Sequence, residues 1–175
     1  TCHGDIITCP GHFGHIELCH PVFHPGYIKT VAKLLSNICF NCSEPMCTEE
    51  KLTSRLLRIS NKKRFKYLSS ICKSKGNCKH CNFTQPKITL ESMKLNVENE
   101  HGEKSQLSAK HVQLILKRIS KKNAGYLGFD SEYTNPQNMI LSVIPVPPPQ
   151  VRPSVSMDSS LKSQDDLTHK LAEII

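Results

Sequence analysis

CFNC at residues 39–42 and CKHC at residues 78–81 decide how this chain is organised. In each, two residues separate two cysteines, and that spacing lets both sulfurs turn toward one point about 2.3 Å away. Two such pairs complete a tetrahedron. The spacing therefore predicts a closed, structural zinc site held by Cys39, Cys42, Cys78 and Cys81. The stretch between them, residues 43–77, is longer than in a compact ribbon and reads as two basic helices. The metal would staple helices that cannot bury enough surface alone. The competing reading is disulfides or free buried thiols. Against it stands the odd count of nine Cys, because a secreted disulfide framework usually has even Cys and no helix-rich basic block. Asn41 and Asn82 open NCS and NFT triplets of the glycosylation type. Each overlaps a proposed metal knuckle, and both read as coincidence.

A second constellation lies near the start, where Cys9 and His12 have knuckle spacing and Cys2 can reach the same metal. Three ligands leave two readings: a catalytic metal with an open position, or a fourth ligand upstream. The candidate carboxylate base is Glu17, five positions beyond His12, which argues against metal-assisted hydrolysis. His3, His15, His20 and His24 read as surface or hydrogen-bonded histidines. Cys19, Cys47 and Cys72 have no partner at metal spacing, and Cys72 reads as packing on a helix's apolar side.

Working outward, residues 26–38 read as a helix, because Val31, Leu34, Leu35 and Ile38 fall at i, i+3, i+4 and i+7. Thr48 can cap a helix carrying Leu52, Leu56 and Ile59. Residues 61–74 follow as a second helix, with Phe65, Leu68 and Cys72 on one side and Gly76 as its stop. Residues 9–24 read as loop, short strand, loop. Residues 87–97 suggest a strand or hairpin, and 96–106 an exposed loop. Ser108 caps a helix with Val112, Ile115, Leu116 and Ile119 on one face. Residues 123–138 are turn-rich, 139–144 read as a buried strand, and PVPPPQVRP at 145–153 as extended, polyproline-like chain. Ser163 with Asp166 reads as a capping box for the last helix.

The 175 residues carry 38% hydrophobic and 6% aromatic residues with no Trp, so the core is thin and needs staples. No apolar run approaches the roughly 18 residues that span a bilayer, and no basic-then-apolar signal opens the chain. The chain starts at Thr1 and stops on LTHKLAEII, a helix without a stop signal. Both ends read as cut, and a piece of a longer protein is expected. The net charge of +8 is uneven: residues 51–82 hold ten Lys or Arg and no acid, while residues 1–50 and 126–175 are each net negative. Such a block attracts polyanions, nucleic acid being the usual one, or is a solvated helix face. No nucleophile elbow, phosphate-cradling Gly loop or HExxH is present. Adjacent Asp165 and Asp166 suit a helix start better than acid–base chemistry. These residues contain no catalytic centre.

Three segments carry a resemblance. CPGHFGHIEL at 9–18 followed by PVFH at 21–24, PVPPPQVRPSV at 145–155 and DDLTHKLAEII at 165–175 resemble, in order and spacing, the N-terminal region of the largest subunit of multisubunit DNA-directed RNA polymerase. The nearest flavour is eukaryotic RNA polymerase II. The resemblance implies an α+β clamp region, irregular and zinc-stapled, with helices and short strands rather than a self-contained fold. It divides the chain into an incomplete zinc knuckle and strand (1–24), a basic helical segment with the four-cysteine site (25–86), a clamp core (87–144) and a Pro-rich linker with the start of a dock-side helix (145–175).

It further implies two structural Zn2+ ions. One is held by Cys39, Cys42, Cys78 and Cys81, the other by Cys2, Cys9 and His12 with a fourth ligand just before Thr1. The family's magnesium-binding catalytic aspartates lie far downstream, so Mg2+ belongs to the full-length enzyme only. DNA and the RNA–DNA hybrid are the implied partners, with other polymerase subunits, above all the second-largest, and no membrane. Lys62, Lys63, Arg64 and Lys66 are the candidate nucleic-acid contacts. The implied place is the nucleus, or a cytoplasmic virus factory or virion if the gene is viral. Two departures stand out: only two residues separate Cys78 from Cys81, where the family often has a longer insert, and NPQNMILSV at 135–143 lacks the family's usual acidic residue and Trp. A stand-alone zinc-binding interaction module explains the cysteines and charge equally well, but not the three co-linear motifs.

Overall fold

The computed structural model describes residues 2–5, 8–47, 52, 54–72, 76–99, 102–130, 132–158 and 161–175. In chain order these form β1 (Gly14–Phe23), α1 (Ile28–Asn37), α2 (Ser54–Leu57), α3 (Asn61–Ile71), β2 (Lys87–Glu91), β3 (Lys94–Glu98), β4 (Lys104–Gln106), α4 (Ala109–Lys117), α5 (Lys121–Tyr126), a 3-10 turn (Pro136–Met139), β5 (Ile140–Val146), β6 (Val155–Asp158), β7 (Leu161–Ser163) and α6 (Asp166–Ala172). The fold is mixed α+β with small sheets. Two units divide it: Thr1–Cys19 with Ser142–Ile175, and His20–Leu141. β1 and β5 pair with each other. No helix among the described residues is long and apolar enough to cross a membrane.

The core belongs to the His20–Leu141 unit. Val31, Leu34 and Leu35 line the inner face of α1, as their spacing requires. They meet Leu68 of α3, Leu95 and Val97 of β3, and Val112, Ile115 and Leu116 of α4. Each such side chain, fully buried, contributes about 1.5–3 kcal/mol. β2, β3 and β4 make an antiparallel sheet in that order, with Ile88 opposite Val97 and Leu90 opposite Leu95 on the core-facing side. Ser92 and Met93 join β2 to β3 with φ of 45° and 66°, so both central residues of this two-residue turn are left-handed. That is the turn whose twist matches a hairpin, although Asn-Gly would make it with less strain. Ser108 and Ser120 cap α4 and α5, accepting from the His111 and Asn123 amides. Gly128, at φ +87°, is needed where α3 begins: a side-chain carbon there would collide with the Asn61 carbonyl oxygen.

In the other unit, Arg152 ties the Pro-rich segment to α6. Its Nε donates to the Pro147 carbonyl at 2.9 Å and its Nη1 to the Thr168 hydroxyl at 3.1 Å.

Several local expectations are revised. The 96–106 stretch is not all loop, since β4 pairs with β3. A short helix, α5, opens the turn-rich stretch, nucleated by its Ser120 cap. β5 is only part-buried: Ile140 is covered, while Ser142, Val143 and Pro145 are exposed. The Pro-rich segment bends, because the Val151 and Arg152 amides donate back to the carbonyls of Pro148 and Pro149. Asp165, not Ser163, caps α6, its carboxylate accepting from the Leu167 amide two residues on. Thr48, expected as a cap, lies outside the described residues.

Candidate metal centres

The two CxxC loops share one backbone form. In the first, the Cys39 amide donates to the Glu44 carbonyl (2.7 Å), the Ser43 amide donates to the Cys39 carbonyl (2.9 Å), and Ile38 bridges Pro45. In the second, the Cys78 amide donates to Phe83 (2.9 Å), the Asn82 amide donates to Cys78 (2.8 Å), and Asn77 bridges Thr84. Each loop turns on one left-handed residue, Ser43 at φ 61° and Asn82 at φ 55°. Asn visits this region more readily than most residues. Ser43 is held there by burial and by its hydroxyl, which donates to the Ile115 carbonyl of α4 at 2.9 Å.

The loops bring their sulfurs together. Cys39 and Cys81 are 3.5 Å apart, Cys42 and Cys78 are 3.7 Å apart, and all four Sγ atoms lie within 4.8 Å of one another. A tetrahedron with 2.3 Å metal–sulfur arms has edges of about 3.8 Å. The donor set is therefore already spaced for a four-thiolate ion such as zinc.

The electrostatics of the loops are split. Burial raises the Cys39 and Cys42 thiols above their usual 9.0. Cys81, at the surface, is lowered to about 6, chiefly by the amide of Phe83. Four thiolates this close repel one another unless a cation sits among them, so the cluster suits metal binding better than free thiol chemistry.

Gln85 locks the second loop to the first. Its Nε2 donates to the carbonyls of Leu35 (3.0 Å) and Ile38 (2.9 Å), and its Oε1 accepts from the Phe40 amide (3.0 Å). One buried amide thus closes the C-terminal end of α1 and fixes the chain on both sides of Cys39. Nothing in its sequence surroundings marked it.

The second cluster joins Cys2, Cys9 and His12, with 3.3 Å between the two sulfurs and 3.5 Å from Cys9 Sγ to His12 Nε2. His12 and the Gly4 amide lower the Cys2 thiol to about 7. The Gly11 amide points at Cys9 Sγ at 3.4 Å. Gly11 sits at φ +86°, and any side chain there would run into Gln150 and Pro148. The donors have soft and borderline character suited to zinc, and three of them come together among the described residues. Cys19, Cys47 and Cys72 join neither group, and Cys47 and Cys72 are core residues. The His24 ring accepts from the Gly26 amide at 3.0 Å.

Of the four basic residues singled out on α3, Lys62, Lys63 and Lys66 are exposed. Arg64 is buried. Its guanidinium donates to the carbonyls of Leu56 (2.9 Å), Leu57 (2.8 Å), Ile59 (2.7 Å) and Gly125. It closes the end of α2 and has its fork directed into the protein, so the surface available to an anion on α3 is the lysines'.

Comparison with known proteins gives the family. The family model "RNA polymerase Rpb1, domain 1" matches residues 1–175. "DNA-directed RNA polymerase II subunit RPB1" of Euplotoides octocarinatus is 38% identical over 196 residues, covering all of this chain and 41% of that protein. "DNA-directed RNA polymerase subunit Rpo1N" of Sulfolobus acidocaldarius is 37% identical over 185 residues, covering all of this chain and 21% of that protein. The chain thus spans well under half the length of these relatives. Matched from its first residue to its last, it belongs to the family of RNA polymerase Rpb1, domain 1.

Proposed function

We propose that this chain is the clamp portion of the largest subunit of a DNA-directed RNA polymerase, helping to hold template DNA and the RNA–DNA hybrid during transcription. The observation that carries the reading is the family match along the whole chain, set on a four-sulfur cluster spaced for a structural ion. In this reading zinc at Cys39, Cys42, Cys78 and Cys81 fixes the loop-and-helix segment. A second zinc at Cys2, Cys9 and His12, with a fourth ligand preceding Thr1, fixes the loop after it. Residues 1–24, 25–86, 87–144 and 145–175 act as zinc loop and strand, basic helical segment, clamp core and dock-side linker. The magnesium-dependent chemistry belongs to downstream residues, and the second-largest subunit is the main protein partner. A nuclear enzyme fits the reading, or a virus factory or virion for a viral gene.

What these residues contribute is retention. Exposed Lys62, Lys63 and Lys66 offer charge to phosphates without reading bases. Affinity for duplex or hybrid should then fall steeply with salt and be indifferent to sequence. Filter binding at fixed salt across unrelated DNA sequences tests this, and strong sequence discrimination refutes it. Metal analysis of the purified chain should find about one tightly held zinc at the four-thiolate site. Cys78→Ser should release it and lose helical circular dichroism, since the closed site supplies folding free energy. Retained zinc and helicity in that variant would overturn the structural role.

A further inference from the structure

α1 and α3 contain no acidic residue, and between them runs a groove of about 510 Å³. Lys33 stands on its α1 side, and Lys62 and Lys66 stand one turn apart on its α3 side. All three are exposed, and the ion pairs among the described residues engage other lysines: Lys87, Lys104 and Lys170. The bottom is different in character. Phe65 and Cys72 line it, and its hydroxyls have spent their protons inside the fold: Ser36 donates to the Ala32 carbonyl and Ser69 to the Phe65 carbonyl. Ser69 also accepts from buried Asn37, at 2.8 Å. A ligand entering the groove therefore meets three ammonium groups at the rim and a mainly apolar floor.

We infer that this groove docks an acidic protein segment carrying an apolar side chain, with carboxylates on Lys33, Lys62 and Lys66 and the apolar group over Phe65. Charge complementarity selects an anion. The floor selects among anions. A nucleic-acid backbone presents phosphates and sugars, and would leave the apolar floor facing polar surface. An acidic peptide with an interspersed leucine satisfies rim and floor together. Lys63 lies beyond the groove, one helix position round from Lys62. It remains available to nucleic acid when the groove is filled, whereas Lys62 and Lys66 also serve the proposed phosphate contact, so peptide and DNA would compete for those two and the preferred probe tells the readings apart.

Two fluorescently labelled peptides test it with the full chain loaded with zinc: one alternating acidic residues with leucines, one wholly acidic at the same charge. A short single-stranded DNA is the third probe. The leucine peptide should bind roughly ten-fold tighter than the wholly acidic one, a difference of about 1.4 kcal/mol. Combined Lys33→Glu, Lys62→Glu and Lys66→Glu should lower its affinity at least about ten-fold, with circular dichroism and zinc content unchanged because all three side chains are exposed. Lys110→Glu, on exposed α4 surface outside the groove, should leave it unaltered. Equal affinity for the two peptides, or leucine-peptide binding insensitive to the triple reversal, overturns the proposal. So does DNA binding as tight as the leucine peptide's and lost on the same reversal, which would give the groove to nucleic acid.

Discussion

The side-chain amide of Gln85 donates to the carbonyl of Ile38 at 2.9 Å, joining the residue before one cysteine pair to a residue just past the other. It makes two further hydrogen bonds, to Leu35 and from Phe40. Gln85→Leu keeps the size but leaves a buried amide and two carbonyls without this partner. The expected cost is roughly 2–4 kcal/mol of unfolding free energy, read by urea denaturation of the zinc-loaded chain. The four sulfur ligands are untouched, so zinc stoichiometry should stay the same.

Arg64 and Lys63 are neighbours in opposite surroundings, one buried and one exposed. Arg64→Met removes a buried guanidinium from four carbonyls and should destabilise the fold by roughly 3 kcal/mol or more. Its effect on DNA affinity, measured on the fraction still folded, should be small. Lys63→Gln should leave the urea midpoint unchanged and reduce the salt slope of DNA binding by about one. Filter binding over a salt series separates the two.

The β2–β3 turn contains removable strain. Met93 has φ of 66° and is exposed, so its side chain loses little on deletion. Met93→Gly should raise stability by about 1 kcal/mol, because glycine adopts left-handed geometry without the Cβ penalty. Thermal unfolding reads the gain. An unchanged or lower midpoint would mean that the left-handed geometry at Met93 costs the fold nothing.

Glu98 is expected to make the sheet sensitive to acid. The Lys87 ammonium donates to its carboxylate at 3.0 Å, and with the nearby charge of Lys104 holds its carboxyl below the usual 4.5. The folded value is depressed, so the stabilisation is present above the unfolded value and is lost as pH falls below 4.5 through the folded value. The pair is exposed, so its contribution is small and salt-screened. NMR titration of Glu98 in Lys87→Met should return its midpoint toward 4.5.

How much of this was readable in advance depended on how local the physics is. A metal knuckle writes its requirement into four consecutive residues, so both sulfur clusters were visible in the cysteine spacing, and structure brings together the residues so marked. α1 and α4 were visible because their apolar stripes are strong. Gln85 was not, because its partners lie 45 to 50 positions away. From sequence, Arg64 stands with Lys62, Lys63 and Lys66 as a candidate nucleic-acid contact. Composition reports how many charges a helix carries but not which one faces inward, and on α3 the inward position is Arg64's. β6 and β7 are too short and polar to alternate visibly, and their bulged register could not be foreseen.

The cover over Gly11 has a consequence for the newborn chain. Gln150, whose amide donates to the Cys9 carbonyl, is 141 positions further on. At about 5–20 residues added per second, Cys9 waits roughly 7–28 s on the ribosome before Gln150 has been synthesised. During that interval the Cys9 carbonyl lacks this partner, so the loop's final form depends on residues made long after it.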